Sequence, residues 1–405
     1  MKSLIKIAWR NIWRNKLRSI SIMLAVFLGL LAGIFASALV DGMLLSRFTN
    51  FIENKISHIQ IHHPDYIGQG EVYQTSMLSY TILDKIKQTQ GVKAATIRTK
   101  TGSMIASATF TGGVEMIGID SENEHATTQF ASNIVEGNFI ENEDKNEIVI
   151  GKALAEKMKV GIGSRIVLTF QDKNSEIVSA AFHVKGLYET NYKRYDESTV
   201  FSNIYYLNNL LQIGEEFHEI AILGKEIDNL NMLISSLPKE LSHLSIRKWN
   251  ELSPELEYWV EIGGVFSYIF IILIMIGLAF GLLNTMLMAV FERTREIGML
   301  MAIGMNKTKM FGMIVLETLA LSTIGALSGM ISGYLLVTYF STQGIDFSAF
   351  NDVMREIGFD YMVYPNLDEN FFVILPIIVI LTALISAIYP AIKALKLNPA
   401  EAVRK

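Results

Sequence analysis

The chain contains few side chains whose types and spacing could support catalysis or metal binding. It has no Cys, which excludes a thiolate nucleophile and Cys-ligated zinc or iron–sulfur sites. His58, His62 and His63 lie close together, and His58 and His62 would share one face of a strand. Only Asp65 is near enough in the sequence to complete a metal site, so a solvated strand is favoured over metal binding.

The sequence motifs of common hydrolases and nucleotide-binding proteins are also missing. No G-x-S-x-G, H-E-x-x-H or G-x-x-x-x-G-K-[ST] sequence occurs in the chain. Any ATP hydrolysis that drives this protein would therefore need another polypeptide. We expect the chain not to be an enzyme and to bind no metal or other cofactor directly.

The elements that surround these residues are largely apolar. Half of the residues are hydrophobic, 19% are charged and the mean hydropathy is +0.32, whereas soluble domains have ~25% charged residues. The uncharged run Ile20–Val40 would extend ~32 Å as a helix, about the thickness of the hydrocarbon core of a bilayer. The sequence predicts four membrane spans, at residues 19–41, 262–291, 310–340 and 371–392.

The distribution of charge predicts how these spans are oriented. Residues 1–18 carry six Lys or Arg and no acid, which indicates a cytoplasmic amphipathic elbow helix that lies in the lipid interface and does not bind nucleic acid. Four spans return the basic 393–405 tail to the cytoplasm, and the 292–309 loop is basic as well. The acidic 341–370 loop and the acidic segment 42–261 are predicted to lie outside the cytoplasm.

Small residues recur inside the spans, whereas ionisable residues are nearly absent. Glu317 is the only acid in the apolar runs 20–40, 262–291, 316–340 and 371–392, and we expect it to reach the lipid headgroups or to pair with Arg293 or Lys307. A proton-coupled carrier or ion channel is therefore not favoured, because ion pathways need ionisable groups inside the helix bundle. Glycines at a spacing of four predict close helix packing. They are Gly29, Gly33, Gly277, Gly281, Gly325, Gly329 and Gly333.

The external segment has the pattern of a mixed α and β domain. Helical stalks are expected to leave the first span, at residues 44–56, and to lead into the second, at residues 249–261. A second module begins near residue 147 and is interpreted as an insertion in a larger domain. The predicted strands are 59–63, 91–97, 147–151, 165–170 and 181–187, and the predicted helices are 82–87 and 152–159.

Two segments carry a resemblance to a known family. Phe291–Met305, with the sequence FERTREIGMLMAIGM, and Tyr389–Arg404 resemble signatures of the ABC permease superfamily that includes lipoprotein-releasing (Lol-type), MacB-type and FtsX-type proteins. The resemblance implies a membrane α+β fold like that of type VII ABC exporters: one span, a large periplasmic domain, then three spans. The external segment resembles the porter and inserted sabre subdomains of this family, most clearly at residues 146–168. Ser57–Tyr66 looks most like the Lol-type branch.

The resemblance implies that the 292–309 loop is a coupling helix that docks on a separate cytoplasmic ATPase. Two ATPase copies would supply ATP and Mg²⁺ chemistry, and a second permease copy or a paralogue would complete the complex. Apolar residues of the loop can enter a pocket, while its charged residues form directional ion pairs. The residues expected to couple are Glu292, Arg293, Glu296, Ile297, Gly298, Met299, Leu300, Ala302, Ile303 and Gly304.

The function that the resemblance implies is mechanical work on a substrate at the bacterial inner membrane. The leading hypothesis is extraction of lipoproteins and their transfer to a periplasmic carrier. An efflux permease with a periplasmic adaptor and an FtsX-like regulator of cell-wall hydrolases are the alternatives. If acyl chains pass through the protein, a cavity at the outer ends of spans one and two would cover them. Its candidate residues are Met43, Leu44, Phe48, Phe51, Ile262, Val265, Phe266 and Ile269.

Overall fold

The computed structural model describes two units of the chain. The described residues are Arg10, Trp13, Val72 and the ranges 16–66, 74–77, 80–128, 130–226, 229–366 and 369–396. The membrane unit comprises Met1–Leu45, Val260–Asp346 and Met362–Lys405, and the α/β unit comprises Ser46–Trp259 and Phe347–Tyr361. Most of the predicted elbow helix, and the tail from residue 397 onwards, lie outside the described residues.

The described helices and strands have the following bounds. The helices are α1 (Lys16–Phe51), α2 (Tyr80–Gln88), α3 (Ser121–Thr127), α4 (Lys152–Met158), α5 (Lys193–Ser198), α6 (Ile204–Leu211), α7 (Leu230–Ser236), α8 (Trp249–Leu252), α9 (Pro254–Glu292), α10 (Thr294–Ala302), α11 (Lys307–Gln343), α12 (Asn351–Ile357) and α13 (Glu369–Leu395). The strands are β1 (Ile59–His62), β2 (Ser76–Met77), β3 (Val92–Ala106), β4 (Thr111–Ile119), β5 (Ile134–Gly137), β6 (Glu147–Gly151), β7 (Arg165–Gln171), β8 (Ile177–Tyr188), β9 (Thr199–Asn203), β10 (Glu216–Phe217), β11 (Glu219–Gly224), β12 (Ser245–Lys248), β13 (Ile345–Asp346) and β14 (Met362–Val363).

Four helices of the described chain are long and apolar enough to cross a membrane. Their candidate spans are Ser19–Phe51 in α1, Ile262–Glu292 in α9, Lys307–Gln343 in α11 and Phe372–Leu395 in α13. Buried apolar side chains from all four helices, together with Ile297 of α10, form one core. The α/β unit separates the first span from the other three in the sequence, so the predicted fold class is confirmed.

The glycines of α11 let α1 approach closely. A Cβ atom added at Gly325 would lie 2.7 Å from the backbone oxygen of Met23, and one at Gly329 would lie 3.0 Å from that of Phe27. Gly333 similarly faces Ile34. Helix packing through small residues, as predicted from the spacing of four, therefore holds for the α1–α11 contact.

We expect Gly325→Ala to destabilise the membrane unit by about 1–3 kcal/mol, because the backbone of α1 would have to move away from the added methyl group. Gly277→Ala is the matched control, since no described atom outside its own helix backbone lies within 4 Å of the added Cβ position. That change should be neutral or slightly stabilising, because Ala favours a helix by up to ~1 kcal/mol over Gly. Thermal unfolding in detergent measures both, and equal midpoints for the two variants would contradict the packing argument.

The α/β unit is organised around one ten-stranded mixed sheet. The strand order is β12-β1-β11-β3-β4-β9-β6-β8-β5, and β7 pairs with β3 and β8. The strands predicted at 147–151, 165–170 and 181–187 correspond to β6, β7 and β8, and β7 pairs antiparallel with β8. The predicted second module does not form a sheet of its own, because β7 pairs with the end of β3 and β9 pairs with β4.

Strand β1 corrects the interpretation of the histidines. It lies between β11 and β12, all four of its residues are buried, and His62 is 3% exposed. The expected solvated strand was therefore wrong: β1 is interior, and its polar side chains are satisfied by internal hydrogen bonds. Nδ1 of His62 lies 3.0 Å from the carbonyl oxygen of His218, and Nδ1 of His58 accepts from the amide of Gly224 at 2.9 Å. No group of metal ligands occurs among the described residues.

His218 gives the α/β unit a dependence on pH. Its Nδ1 accepts from the amide of Lys100 at 3.1 Å, and its Nε2 lies 3.0 Å from the carbonyl oxygen of Val72. Burial lowers the pKa of His218 to about 4, and the positive charges of Lys100 and His62 act in the same direction. The folded unit therefore holds this imidazole neutral at pH values where an unfolded chain already binds a proton.

We expect the α/β unit to lose stability as the pH falls from about 6.5 towards 4, because the unfolded histidine is protonated first. The loss attributable to His218 should reach about 3 kcal/mol. Thermal midpoints of the detergent-solubilised chain between pH 7.5 and 4.5 measure it. His218→Gln should flatten this dependence, whereas His243→Gln, at an exposed histidine, should leave it unchanged. An unaltered slope in His218→Gln would refute the assignment.

The loop between the third and fourth spans contributes a segment to the α/β unit. Residues 347–361, including α12, belong to that unit, although the sequence suggested only an external loop. Arg355 of α12 donates to Oδ2 of the fully buried Asp196 at 2.8 Å and to the carbonyl oxygen of Thr190 at 3.1 Å. It also pairs with Glu189. These contacts of Arg355 attach the loop to α5 and to the end of β8.

Candidate coupling loop

The loop between α9 and α11 contains the short helix α10, and local backbone geometry sets where this helix begins and ends. Arg293 breaks the helical path between α9 and α10 with φ −100° and ψ 14°. At the other end, the amide of Gly304 donates to the carbonyl oxygen of Met301, and that of Met305 donates to Leu300. This is the Schellman pattern with a left-handed residue after the helix, and Gly304 meets it with φ +96°. Asn306 then caps α11 by accepting from the amide of Thr308.

One face of α10 is anchored in the membrane unit. Arg293 is 9% exposed, and its Nη1 donates to both carboxylate oxygens of Glu317 on α11, at 2.9 and 3.1 Å. The expected pairing of Glu317 with Arg293 is confirmed. Ile297 is 4% exposed within the apolar core, and Gly298 is buried beside it. These three coupling candidates are thus placed to hold α10 in position, and they present little surface to a partner.

The opposite face of α10 is open. Ile303 is 86% exposed and Met299 is 43% exposed, although both are large apolar side chains. They are four residues apart, so they share one side of the helix. Of the other candidates, Glu292, Ala302 and Gly304 are exposed, whereas Glu296 and Leu300 are half-buried. Arg295, which the sequence motif contains but the candidate set omits, is also exposed and extends this face by one turn.

Comparisons with known proteins agree with this architecture. The family described as "MacB-like periplasmic core domain" matches residues 19–235, more than half of the chain, and "FtsX-like permease C-terminal" matches residues 268–399. The chain belongs to the MacB/FtsX/Lol family of ABC transporter permeases. The resemblance predicted from the two sequence motifs is confirmed, and this permease is a multi-pass membrane protein.

Individual relatives of the permease are distant. The lipoprotein-releasing system transmembrane protein LolC of Neisseria meningitidis is 22% identical over 379 residues, covering 89% of each chain. The macrolide export ATP-binding/permease protein MacB of Campylobacter jejuni is 31% identical over 125 residues, covering 31% of this permease and 17% of that protein. The solved periplasmic region of MacB from Actinobacillus actinomycetemcomitans covers 51% of this permease and 96% of that structure, with 12% identity and a TM-score of 0.37.

The residues predicted to line a cavity fall into three groups. Leu44 packs on Gly263, where an added Cβ would lie 2.0 Å from its Cδ1, and Met43 and Ile262 are half-buried nearby in the sequence. Phe48 and Phe51 belong to a small cluster in the α/β unit, where the ring of Phe48 meets that of Trp249 at 4.7 Å. The remaining three are about half exposed in the single chain: Val265, Phe266 and Ile269.

Packing within the permease explains the positions of some of these cavity candidates, so that they need no role in a cavity. Stalk packing within the α/β unit accounts for Phe48 and Phe51, and helix packing accounts for Leu44. Val265, Phe266 and Ile269 are about half exposed, whereas Ser267 on the same helix is buried and donates to Asp41 of α1 at 3.4 Å. A lining role for the exposed three stays a prediction.

Proposed function

We propose that the chain is a non-catalytic permease subunit that transmits the work of a separate ABC ATPase to its α/β unit. The observation that carries this proposal is the form of α10. One face is fixed by the Arg293–Glu317 pair and Ile297, while Ile303 and Met299 project as apolar side chains on the other. An anchored helix with an exposed apolar end suits docking in a partner's groove, because central apolar anchors supply most binding energy at interfaces.

We further propose that the protein lies in a bacterial inner membrane with α10 and both termini in the cytoplasm. The basic 292–309 loop and the acidic 341–370 loop support this orientation. The α/β unit is then periplasmic. Two ATPase copies bind two permease subunits, either identical copies or paralogues, and ATP and Mg²⁺ bind to the ATPase.

Lipoproteins are the substrate we favour. Support comes from the LolC relative, whose alignment covers 89% of both chains. Exposure of one 16-carbon acyl chain to water costs on the order of 12 kcal/mol at ~0.8 kcal/mol per CH₂ group. A lipoprotein with three chains therefore needs a covered apolar route from the membrane to a periplasmic carrier. The exposed side chains of Val265, Phe266 and Ile269 could contribute to such a route in the assembled complex.

Efflux of peptides or drugs through a periplasmic adaptor is the second candidate. The MacB relative, with 31% identity over 125 residues, supports it. The FtsX-like match at residues 268–399 leaves regulation of a cell-wall hydrolase as a third possibility. The three differ in what the periplasmic α/β unit holds: a lipoprotein and its carrier, an adaptor, or a hydrolase and its activator.

The coupling proposal is tested by Ile303→Asp. The chain is affinity-purified from its own cells in mild detergent, and the bound ABC ATPase is identified by mass spectrometry and quantified. We expect at least a tenfold loss of bound ATPase, because a carboxylate would have to be buried in an apolar pocket. Ile177→Asp, at a 75% exposed Ile of the α/β unit, is the matched control and should retain the ATPase. Full ATPase recovery with Ile303→Asp would rule out docking through this face.

The cargo proposal needs a separate measurement. Mass spectrometry of the material that remains bound to the wild-type complex should detect a triacylated peptide. The complex reconstituted in nanodiscs should hydrolyse ATP faster when a triacylated lipopeptide is added than when its deacylated form is added. Stimulation by both forms alike would argue against lipoprotein extraction while leaving the coupling proposal intact.

A further inference from the structure

The chain passes from the first long helix to the sheet of the α/β unit through an unusual piece of backbone. Helix α1 ends at Phe51 and continues as one π-helical turn, Ile52–Ile56, which the amide of Ser57 closes by donating to the carbonyl oxygen of Ile52 at 2.8 Å. Only Ser57 and His58 separate this turn from β1. π-Helical turns are rare and often lie at functional sites. Any movement of the end of α1 relative to the sheet has to pass through this junction.

Ser57 has a backbone conformation that is normally restricted to glycine. Its φ is +59° and its ψ is −176°, a combination in which the Cβ atom of any other residue crowds the neighbouring backbone atoms. Lys159 and Gln212 also have positive φ, but their ψ values of 46° and 30° place them in the left-handed helical region, which side chains tolerate better. The described conformation of Ser57 is therefore strained.

Hydrogen bonds and buried side chains fix the backbone on the helical side of this junction. The carbonyl oxygen of Lys55 accepts from Nη1 of the buried Arg98 at 2.8 Å. The carbonyl oxygen of Ile56 accepts from Nε2 of the buried Gln60, also at 2.8 Å. The side chains of Ile52 and Ile56 are buried in a small apolar cluster. The end of the helical segment is therefore not free to turn and relieve the strain.

The backbone on the strand side is fixed as well. The amide of His58 donates to the carbonyl oxygen of Ile222 at 3.1 Å, and its carbonyl oxygen accepts from the amide of Trp249 at 3.1 Å. The side chain of Ser57 does not favour this conformation, because it is fully buried and its hydroxyl has no hydrogen-bond partner among the described residues. The neighbours on both sides, and not Ser57 itself, therefore impose the strained backbone.

The Cβ atom of Ser57 raises the free energy of the described conformation, since glycine could adopt the same backbone without strain. A conformation in which residue 57 has a negative φ would not carry this cost. We propose that Ser57 is a strained joint, whose backbone relaxes when the end of α1 moves relative to the sheet during ATP-driven transport. The strain brings the free energies of the two conformations closer together, so less work is needed to pass from one to the other. The joint rests on the transmission role proposed above.

The test compares Ser57→Gly with the wild type in two measurements. They are the thermal midpoint of the detergent-solubilised chain and the ATP turnover of its complex with the ATPase in nanodiscs, with no cargo added. Gly removes the strain from the described conformation but gains nothing in the relaxed one. We expect the midpoint to rise by ~2–4 °C while ATP turnover falls at least about fivefold, because each cycle then has to leave a more stable conformation.

Two further variants separate strain from the other effects of the substitution. Ser57→Ala keeps the Cβ atom, and therefore the strain, but removes the buried hydroxyl, so its complex should hydrolyse ATP at the wild-type rate. Ser175→Gly introduces the same residue at an exposed serine with φ +65°, and it should also leave ATP turnover unchanged. Turnover in Ser57→Ala as low as in Ser57→Gly would assign the effect to the hydroxyl and overturn the proposal.

Failure of this inference and failure of the proposed function give different results. A Ser57→Gly complex that retains its ATPase and hydrolyses ATP at the wild-type rate would overturn the strained joint and leave the coupling proposal intact. A lower thermal midpoint in Ser57→Gly would do the same, because it would show that no strain is relieved. Full ATPase recovery with Ile303→Asp would contradict the coupling proposal, and with it the joint.

Discussion

Replacement of Arg98 by Met is expected to lower the free energy of unfolding of the α/β unit by about 3–5 kcal/mol. Arg98 of β3 is 2% exposed. It donates to both carboxylate oxygens of Glu124 on α3, at 2.7 and 3.1 Å, and to Oε1 of Glu219 on β11 at 2.9 Å. It also donates to the carbonyl oxygen of Lys55 at 2.8 Å. Met would fill a similar volume but leave two buried carboxylates without this partner.

The pKa of Glu219 shows how strongly this buried carboxylate depends on the neighbouring cations. Burial alone would raise the pKa of Glu219, but the charges of Lys100 and Arg98 lower it to about 2. Glu219 therefore stays ionised in the folded unit. Without Arg98, the Glu219 carboxylate loses part of its favourable interaction with cations, while the cost of burying its charge remains. Removing one partner of a buried ion pair is therefore more destabilising than replacing both partners.

Two further variants make the Arg98 experiment decisive. Lys85→Gln removes one partner of the exposed Lys85–Glu240 pair, also 2.8 Å long, and should cost less than ~1 kcal/mol. The double variant Arg98→Met with Glu124→Gln should recover part of the lost stability, because it removes one uncompensated charge. Chemical unfolding of the detergent-solubilised chain, followed by circular dichroism, gives the three values. A loss below 1 kcal/mol for Arg98→Met would show that the network contributes little.

The sequence predicted the features that depend on neighbouring residues. Uncharged runs indicated the four spans, and alternating apolar residues indicated β6 and β7, because both signals arise within one element. The Arg293–Glu317 pair was also predictable. A single acid in an apolar helix near a basic loop has few cations within reach with which it can form an ion pair.

The features that depend on distant residues were not predictable in the same way. Arg98 meets residues that are 26 and 121 positions away, and Arg355 meets one that is 159 positions away. Which residues meet is decided by the order of strands in the sheet, and periodicity carries no information about that order. The burial of β1 has the same cause, since only the flanking strands β11 and β12 convert a polar strand into an interior one.

The candidate coupling site shows the same division within a single loop. The motif at Phe291–Met305 predicted where the site lies, and helical spacing suggested an apolar face; the coupling role stays a prediction. Spacing alone could not show that Ile297 faces the core and Ile303 faces outwards, because both are apolar and both fit a docking face. The direction of α10 is set by its attachment through Arg293 to Glu317, a residue of another helix.

The second large effect is expected at the Arg293–Glu317 ion pair. Arg293→Met or Glu317→Met alone should destabilise the membrane unit by about 3–5 kcal/mol, because each leaves a buried charge without its partner. The double variant Arg293→Met with Glu317→Met should unfold within about 1.5 kcal/mol of the wild type, since apolar pairs of similar volume commonly replace buried ion pairs at little cost. A double-mutant cycle of unfolding midpoints in detergent measures the coupling between the two side chains.

The double variant then separates stability from transmission. It keeps the apolar core but removes the charge-assisted hydrogen bonds that fix the start of α10 on α11. If α10 transmits force, substrate-stimulated ATP turnover of the assembled complex should fall at least tenfold while the thermal midpoint stays near that of the wild type. Ile297 would still hold the helix against the core, so ATPase binding through Ile303 should survive. Full turnover in the stable double variant would mean that the ion pair only supports folding, and that the direction of α10 is set by its apolar contacts alone.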